Sequence, residues 1–172
     1  TIKEKPLSLE VFSDDISEMK RQALKIATWG ENVYVKIPIT NTKKESTCSL
    51  IKELSDKGVK VNVTAIMTIE QVKNVVDNLN PDVPAYVSVF AGRIADTGID
   101  PLELMSEVVK ITSQKPKAEV IWASPRELLN IFHANQVGCQ VITVTNDILK
   151  KLKLLGYDLN EYSLDTVKMF YN

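Results

Sequence analysis

Histidine, cysteine and glycine are scarce in this chain of 172 residues, which holds one, two and six of them respectively. The single histidine, His133, excludes any metal site that needs two histidine ligands. The two cysteines, Cys48 and Cys139, lie far apart and match no metal-binding spacing, so no metal is expected. Two isolated cysteines are typical of a reducing compartment rather than of a disulfide scaffold, which favours a cytoplasmic protein.

An excess of charge of either sign and long hydrophobic runs are also missing. Lysine plus arginine number 21 and aspartate plus glutamate 22, which argues against nucleic acid as the main partner. No apolar stretch approaches the roughly 20 residues that a membrane helix needs, so no membrane partner is expected. The hydrophobic share of 44% and the charged share of 25% are ordinary for a globular protein, and the length fits a single domain over residues 1–172.

Short β-branched or apolar runs alternate with longer segments of helical periodicity. Strands are predicted over 6–10, 33–37, 59–64, 85–90, 118–122 and 140–144, and helices over 15–29, 45–57, 69–79, 101–114 and 125–135. Asp100 is a cap before Pro101, Pro125 suits a first helical turn, and Gly58 and Gly138 stand where helices should stop. Strand–helix alternation of this kind predicts an α/β protein with a parallel sheet.

Polar residues at the strand ends favour a barrel over an open sheet. No strand is followed by a glycine-rich nucleotide-binding motif, but nearly every strand ends in a polar residue: Glu10, Lys36, Asn62, Thr64, Ser88 and Ser124. In a parallel barrel these ends meet on one face, where the active site lies. We therefore predict a (β/α)8 TIM barrel. Such a barrel needs at least about 200 residues, and only six of its eight units are visible here.

Lys36 is the most informative residue, because it interrupts a strand that is otherwise apolar. Burial would lower its pKa and free the amine to attack a carbonyl carbon, as Schiff-base chemistry requires. The alternative is an edge-strand lysine that extends to solvent, but the polar strand ends around Lys36 favour the nucleophile. Asn62 and Thr64 share one face of their strand and are candidates for substrate binding and proton relay. Glu10 is either a general acid or base or an ordinary surface charge.

A candidate phosphate site follows the last strands. Gly92 would allow the backbone to approach a ligand closely, and Arg93 offers a fork of donors. Ser124 is predicted at or near a helix N-cap, and with Arg126 it would complete an anion site. The alternatives are capping alone for Ser124 and a solvent-exposed charge for Arg126. His133 is predicted to be a packing or surface residue near the end of its helix.

Four motifs at these positions together resemble the transaldolase family, in particular its small bacterial members. They are Val35–Pro38, Asn62–Thr64, Tyr86–Arg93 and Trp122–Arg126, and the resemblance runs from residue 7 to residue 171. It implies a class I, Schiff-base aldolase of sugar phosphates on a (β/α)8 barrel, which requires neither a metal nor an organic cofactor.

The resemblance also implies a role for each matched residue. Lys36 matches the lysine that forms an imine with the C2 carbonyl of the ketose donor. Glu10 and Thr64 match the pair that handles the catalytic water and its protons. The other matched positions line the substrate pocket or bind its phosphate: Asn62, Ser88, Phe90, Arg93, Ser124 and Arg126.

The activity implied is that of a transaldolase of the pentose phosphate pathway. It transfers a dihydroxyacetone unit from fructose 6-phosphate or sedoheptulose 7-phosphate to an aldose phosphate. Related fructose 6-phosphate aldolases release free dihydroxyacetone and tend to carry Gln where this chain has Glu10 and Tyr where it has Phe90, which favours the transferase. An inactive fragment that binds sugar phosphate or serves in assembly is the alternative from another class. Related small members form multimers, so a homo-oligomer is expected.

Two features of the family do not occur here. The family's first strand carries an aspartate that acts on the C4 hydroxyl, and its second carries a Thr-Asn-Pro segment that binds substrate. This chain starts at what would be the third strand, so the visible units correspond to strands 3 to 8. We therefore expect an N-terminally incomplete form of a longer protein. The C-terminal stretch from Ser163 to Tyr171 is predicted to begin a capped helix that docks on its own barrel or on a neighbouring subunit.

Overall fold

The structure, a computed structural model, describes residues 3–171 and contains one parallel sheet of six strands whose spatial order follows their order in the chain. The strands are β1 Leu7–Glu10, β2 Val33–Pro38, β3 Val61–Ile66, β4 Ala85–Val89, β5 Ala118–Trp122 and β6 Val141–Ile142. Each strand pairs in parallel with the next one. Sequential parallel order with intervening helices is the arrangement of a (β/α)8 barrel, and six of its units are present. The predicted incomplete barrel is confirmed.

Helices lie between consecutive strands, and further helices follow β6. They are α1 Ile16–Ala27, α2 Cys48–Asp56, α3 Ile69–Asn78, α4 Ala91–Ala95, α5 Pro101–Thr112, α6 Leu129–Val137, α7 Asn146–Lys150 and α8 Leu159–Tyr171, with a short 3-10 helix over Lys151–Leu154. None of the helices within residues 3–171 is both long and apolar enough to cross a membrane.

Capping residues explain several helix boundaries. The Thr68 hydroxyl accepts from the Gln71 backbone amide, and the Gln71 side chain accepts from the Thr68 amide, which forms a capping box at the start of α3. Asp100 caps α5, whose first residue is proline. Gly58 and Gly138 have φ angles of 79° and 82°, as expected for the residues that stop α2 and α6.

The sheet separates two apolar layers. Valines and isoleucines on one face of β2, β3 and β4 pack under the helices and form the main core with residues such as Leu54 and Met105. The opposite face carries a smaller cluster of Tyr34, Tyr86, Ile121 and Ala123. Because side chains alternate along a strand, this second face also holds the polar residues singled out in the sequence.

Two predicted helix starts are wrong. The helix predicted over 125–135 begins at Leu129, because the side-chain Oδ1 of Asn130 accepts from the backbone amides of Arg126 and Glu127 and holds that segment in a loop. The C-terminal helix begins at Leu159, four residues before Ser163, and the Asp158 carboxylate accepts from the backbone amides of its first turn.

Candidate active site

One row of side chains crosses the polar face of the sheet. Glu10 of β1 pairs in register with Lys36 of β2, and Lys36 pairs with Asn62 of β3. Parallel pairing in register sends all three side chains to the same face, so the strands bring a carboxylate, an amine and an amide together. The sequence-based expectation that these strand ends form one site therefore agrees with their placement.

Lys36 and Glu10 are in direct contact. The Lys36 Nζ donates to Glu10 Oε2 at 3.2 Å, and the two side chains are 31% and 50% exposed. Lys36 is thus partly buried, not fully buried as its apolar strand suggested. A carboxylate at this distance from the lysine nitrogen is placed to take a proton from, or give one to, a group that reacts there, such as the water lost when an imine forms.

Asn62 is held at both ends of its side-chain amide. Its Nδ2 donates to the Ser8 hydroxyl at 2.9 Å, and its Oδ1 accepts from the Ser88 hydroxyl at 2.7 Å. Ser88 and Asn62 were both predicted at the site, and the structure joins them. Ser8 was missed, although the alternation of β1 places it on the same face as Glu10.

Thr64 follows Asn62 on the same face, at a distorted point of β3. The next residue, Ala65, has a φ of 62°, a left-handed conformation that costs an alanine free energy, and the register with β4 shifts between Val63 and Ile66. The Thr64 hydroxyl oxygen is buried and has no hydrogen-bond partner among the described residues. A buried hydroxyl without a partner is costly, so this one suits a bound water or a substrate.

Two tyrosines lie on the same face: Tyr34 comes two residues before Lys36 on β2, and Tyr86 of β4 pairs in register with Asn62. The rings of Tyr34 and Tyr86 are 4.5 Å apart and tilted by 33°. Burial raises the pKa of Tyr86 to about 12, and its neighbours Tyr34 and Glu119 act in the same direction. Tyr34 also has a raised pKa because of burial. Both phenols therefore stay protonated at neutral pH and form an uncharged floor.

Phe90 and Arg93 come directly after β4. Phe90 is the N-cap residue directly before α4, and its ring packs against the cluster of buried aromatic and apolar residues on the polar face. The Arg93 guanidinium lies 5.4 Å from the centre of the Phe90 ring, within cation–π distance. Arg93 is exposed and stands beside the predicted pocket.

Ser124 and Arg126 differ from expectation. Ser124 lies five residues before α6 with a φ of 57°, so it is not the helix cap, and its amide donates to the Thr143 hydroxyl at 3.3 Å. The Arg126 side chain pairs with Asp96. The helix start does not reach Ser124, and the anion site predicted from that N-terminus is therefore not formed in the expected way.

Gly92 makes a close approach to protein backbone rather than to a ligand. A Cβ on Gly92 would stand 1.5 Å from the Ser124 carbonyl oxygen. No residue but glycine fits there, and this contact holds the segment that carries Arg93 against the segment that carries Ser124 and Arg126. Within residues 3–171, no group of three or more metal-ligating side chains is gathered that could hold a metal ion.

Comparison with known proteins finds one family and several relatives. Residues 1–171 match the family model described as Transaldolase/Fructose-6-phosphate aldolase. The chain is 35% identical over 149 residues to a probable transaldolase of Methanococcus maripaludis strain C7, a match that covers 86% of this chain and 65% of the relative. It is 34% identical over 148 residues to a probable transaldolase of Streptococcus equi subsp. zooepidemicus strain MGCS10565, with the same coverage.

A third relative is covered more fully. A probable transaldolase of Nitrosopumilus maritimus strain SCM1 is 32% identical over 161 residues, which are 92% of this chain and 68% of the relative. The chain thus spans about two thirds of the length of the relatives that it matches.

Proposed function

The chain belongs to the transaldolase/fructose-6-phosphate aldolase family, and from this membership we propose that it acts as a transaldolase. In this proposal it transfers a dihydroxyacetone unit from a ketose phosphate, fructose 6-phosphate or sedoheptulose 7-phosphate, to an aldose phosphate, in the pentose phosphate pathway. The observation that carries the proposal is the contact of Lys36 Nζ with Glu10 Oε2 on the polar face of the sheet.

Lys36 is the proposed nucleophile. Its amine attacks the C2 carbonyl carbon of the ketose, and the carbinolamine loses water to give an iminium ion. The iminium accepts the electron pair of the C3–C4 bond as that bond breaks, while a base takes the proton of the C4 hydroxyl, a step that the family assigns to the aspartate of its first strand, which does not occur in this sequence. The aldose phosphate leaves, and a three-carbon enamine stays on Lys36. Attack of the enamine on a second aldose phosphate, followed by hydrolysis, returns the free amine. The lysine supplies the electron sink, so the proposed reaction needs no cofactor.

Glu10 and Thr64 are the proposed groups for the water that leaves and returns. Glu10 touches the Lys36 amine and can take or give a proton there. The Thr64 hydroxyl, buried without a partner among the described residues, can hold that water by one hydrogen bond. Two groups that share one water can move its proton during both formation and hydrolysis of the imine.

Asn62, Ser88 and Phe90 are the proposed substrate-lining residues, and the phosphate is proposed to bind near Arg93, Ser124 and Arg126. The contact between Gly92 and Ser124 supports this grouping, because it holds the two arginine segments side by side. The Arg126 guanidinium is paired with Asp96, so phosphate must compete with that carboxylate for it. Arg93 has the ring of Phe90 beside it and is the more available of the two cations.

Release of free dihydroxyacetone is the second candidate. The family includes fructose-6-phosphate aldolases, and the same imine serves both reactions. Glu10 and Phe90 favour transfer, because the aldolases resemble this chain except for an amide and a phenol at those two positions. A carboxylate beside the lysine and an apolar ring beside Arg93 distinguish this site from theirs.

A coupled assay with and without an acceptor tests the proposal. Glyceraldehyde 3-phosphate release from fructose 6-phosphate should require erythrose 4-phosphate and continue as sedoheptulose 7-phosphate forms. Release without an acceptor, with free dihydroxyacetone as a product, would favour the aldolase. No product in either case would overturn both. Lys52→Ala is the matched control for Lys36→Ala, because Lys52 pairs with Asp56 on the surface of α2.

We further propose a cytoplasmic location and self-association into a homo-oligomer. Both cysteines are free thiols in the structure, which suits a reducing compartment. Apolar side chains of α8 project from the protein, with Phe170 81% exposed, and they would be covered in an oligomer.

A further inference from the structure

Ser8 is not among the residues assigned above, but it begins a hydrogen-bonded chain that contains two of them. Asn62 Nδ2 donates to the Ser8 hydroxyl at 2.9 Å, and the Ser88 hydroxyl donates to Asn62 Oδ1 at 2.7 Å. The chain runs from β1 through β3 to β4 and passes over β2 without using a β2 side chain. We name it the Ser8–Asn62–Ser88 bridge.

The register of the strands fixes where the bridge crosses β2. Ser8 pairs with Tyr34, and Asn62 pairs with Lys36. The hydrogen bond between Ser8 and Asn62 therefore crosses β2 diagonally between Tyr34 and Lys36, on the face where both side chains lie. On β2, Tyr34 therefore lies on one side of this hydrogen bond and Lys36 lies on the other.

The bridge also fixes the Asn62 amide. A side-chain amide offers two donor positions on nitrogen and two acceptor positions on oxygen. Ser8 and Ser88 take one position at each end, which holds the plane of the amide and leaves one N–H and one lone pair. Asn62 and Ser88 are each 4% exposed, so bulk water does not compete for the bond between them, whereas Ser8 at the other end of the bridge is exposed.

We propose that Ser8 is a positioning residue: it orients the Asn62 amide so that the remaining N–H and lone pair meet the hydroxyls of the sugar bound to Lys36. This proposal rests on the proposed function, since it takes a sugar on Lys36 as given. Ser8 does not touch the substrate. Without its hydroxyl, the Asn62 nitrogen loses its partner and the amide turns about its last side-chain bond.

The physical cost of losing the bridge is of a size that kinetics can measure. A hydrogen bond between neutral side chains contributes about 1 kcal/mol, and about 1.4 kcal/mol corresponds to tenfold in a rate or equilibrium constant. Ser8→Ala should therefore lower kcat/KM for fructose 6-phosphate by about fivefold to tenfold. Ser8→Thr keeps a hydroxyl and suits a strand, so it should restore most of that loss.

Two measurements test the proposal. The first is hydrogen exchange of the Asn62 side-chain amide by nuclear magnetic resonance, which needs no activity. The second is kcat/KM in the acceptor-coupled assay. Ser106→Ala is the matched control, because the Ser106 hydroxyl donates to a backbone carbonyl on α5 and should change neither reading.

Faster Asn62 exchange and lower kcat/KM in Ser8→Ala, with both restored in Ser8→Thr, would support the proposal. Unchanged exchange in Ser8→Ala would overturn it, whatever the activity. Faster exchange with unchanged kcat/KM would also overturn it, since the bridge would then be structural only. An inactive wild type would overturn the proposed function and the kinetic role of Ser8 together. The hydrogen-exchange measurement would then still show whether Ser8 holds the Asn62 amide in place.

Discussion

The Thr64 hydroxyl is buried on the polar face of β3 without a partner among the described residues, and so is the Thr112 hydroxyl on α5. A buried polar group without a hydrogen bond costs about 1–3 kcal/mol, and valine has nearly the shape of threonine. Thr64→Val should therefore leave the free energy of unfolding unchanged or raise it by about 1 kcal/mol. It should also lower the transfer rate by about a hundredfold, because general acid–base groups contribute at least that much.

Thr112→Val separates the two effects. It removes the same hydroxyl from an equally buried place that is remote from Lys36, so it should match Thr64→Val in urea unfolding and keep full transfer activity. If Thr64→Val retained wild-type kinetics, Thr64 would have no part in the chemistry. If both variants lost several kcal/mol of stability, the two hydroxyls would have partners after all.

Candidate site residues could be found from the sequence where a polar residue interrupts an apolar strand, but not where the residue is ordinary for its surroundings. Lys36 was visible because a lysine is unusual in an apolar strand, and Asn62 and Thr64 because they alternate with valines. Ser8 lies in a strand with mixed neighbours, where a serine is commonplace. Its role depends on a hydrogen bond to a residue 54 positions away, which no local pattern reports.

The loops after β1 and β2 are joined by one carboxylate. Asp14 accepts hydrogen bonds from the Thr42 backbone amide at 2.8 Å and from the Thr42 hydroxyl at 2.6 Å. These two hydrogen bonds, with the one from the Thr42 hydroxyl as the larger cause, hold the pKa of Asp14 below its usual value of 3.8. These loops follow the strands that carry Glu10 and Lys36, so the contact keeps the two sides of the candidate site in register.

Stability should depend on pH through this carboxylate. Because its folded pKa is lowered, the contribution of Asp14 to the free energy of unfolding is complete above pH 3.8 and is lost as the pH falls through the folded value. Asp14→Asn should therefore lower the urea midpoint at pH 7, and the difference from wild type should shrink at pH 3. A difference of equal size at both pH values would contradict the assignment.

Asp147→Asn is the control for this comparison. Asp147 has an 89% exposed side chain and a long contact to Lys150 at 3.4 Å, so it should leave the midpoint unchanged at both pH values.

Helix starts were the least predictable elements. Pro125 is a good first helical residue, and the sequence therefore placed α6 four residues too early. The Asn130 side chain prevents that start, because its oxygen binds the backbone amides of Arg126 and Glu127 across the turn. Residue preferences predict a helix start from the residues at that position. Here the start is set instead by a hydrogen-bonding side chain inside the helix, that of Asn130.

The order of the whole sheet was predictable, because six alternations of strand and helix leave few topologies. The connections between parallel strands are almost always right-handed, and consecutive strands usually lie next to each other. The strand order of the barrel therefore follows from the alternation of strands and helices. What surrounds the two outer strands was not predictable. A cleft of about 840 Å³ lies beside β1, and its lining includes the exposed apolar residues Leu7 of β1, 48% exposed, and Trp29 of the loop after α1, 59% exposed.

That cleft and the candidate site lie at different parts of β1. The cleft is lined by residues near the start of the strand, among them Lys5, Leu7 and Trp29, whereas Glu10 at the end of the strand touches Lys36. Unpaired strand edges with exposed apolar groups bind other chains readily. The proposed self-association, at α8 or at this edge, and the proposed chemistry of Lys36 thus involve separate surfaces, and each proposal can be tested without the other.

Covalent capture of the substrate on Lys36 tests the central claim most directly. The protein is incubated with fructose 6-phosphate, reduced with borohydride, weighed intact by mass spectrometry, and digested to locate the adduct. We expect a reduced sugar-derived increment on the peptide that contains residues 33–38, absent from Lys36→Ala and present in Lys52→Ala. An adduct on another lysine, or no adduct on the wild-type chain, would contradict the account.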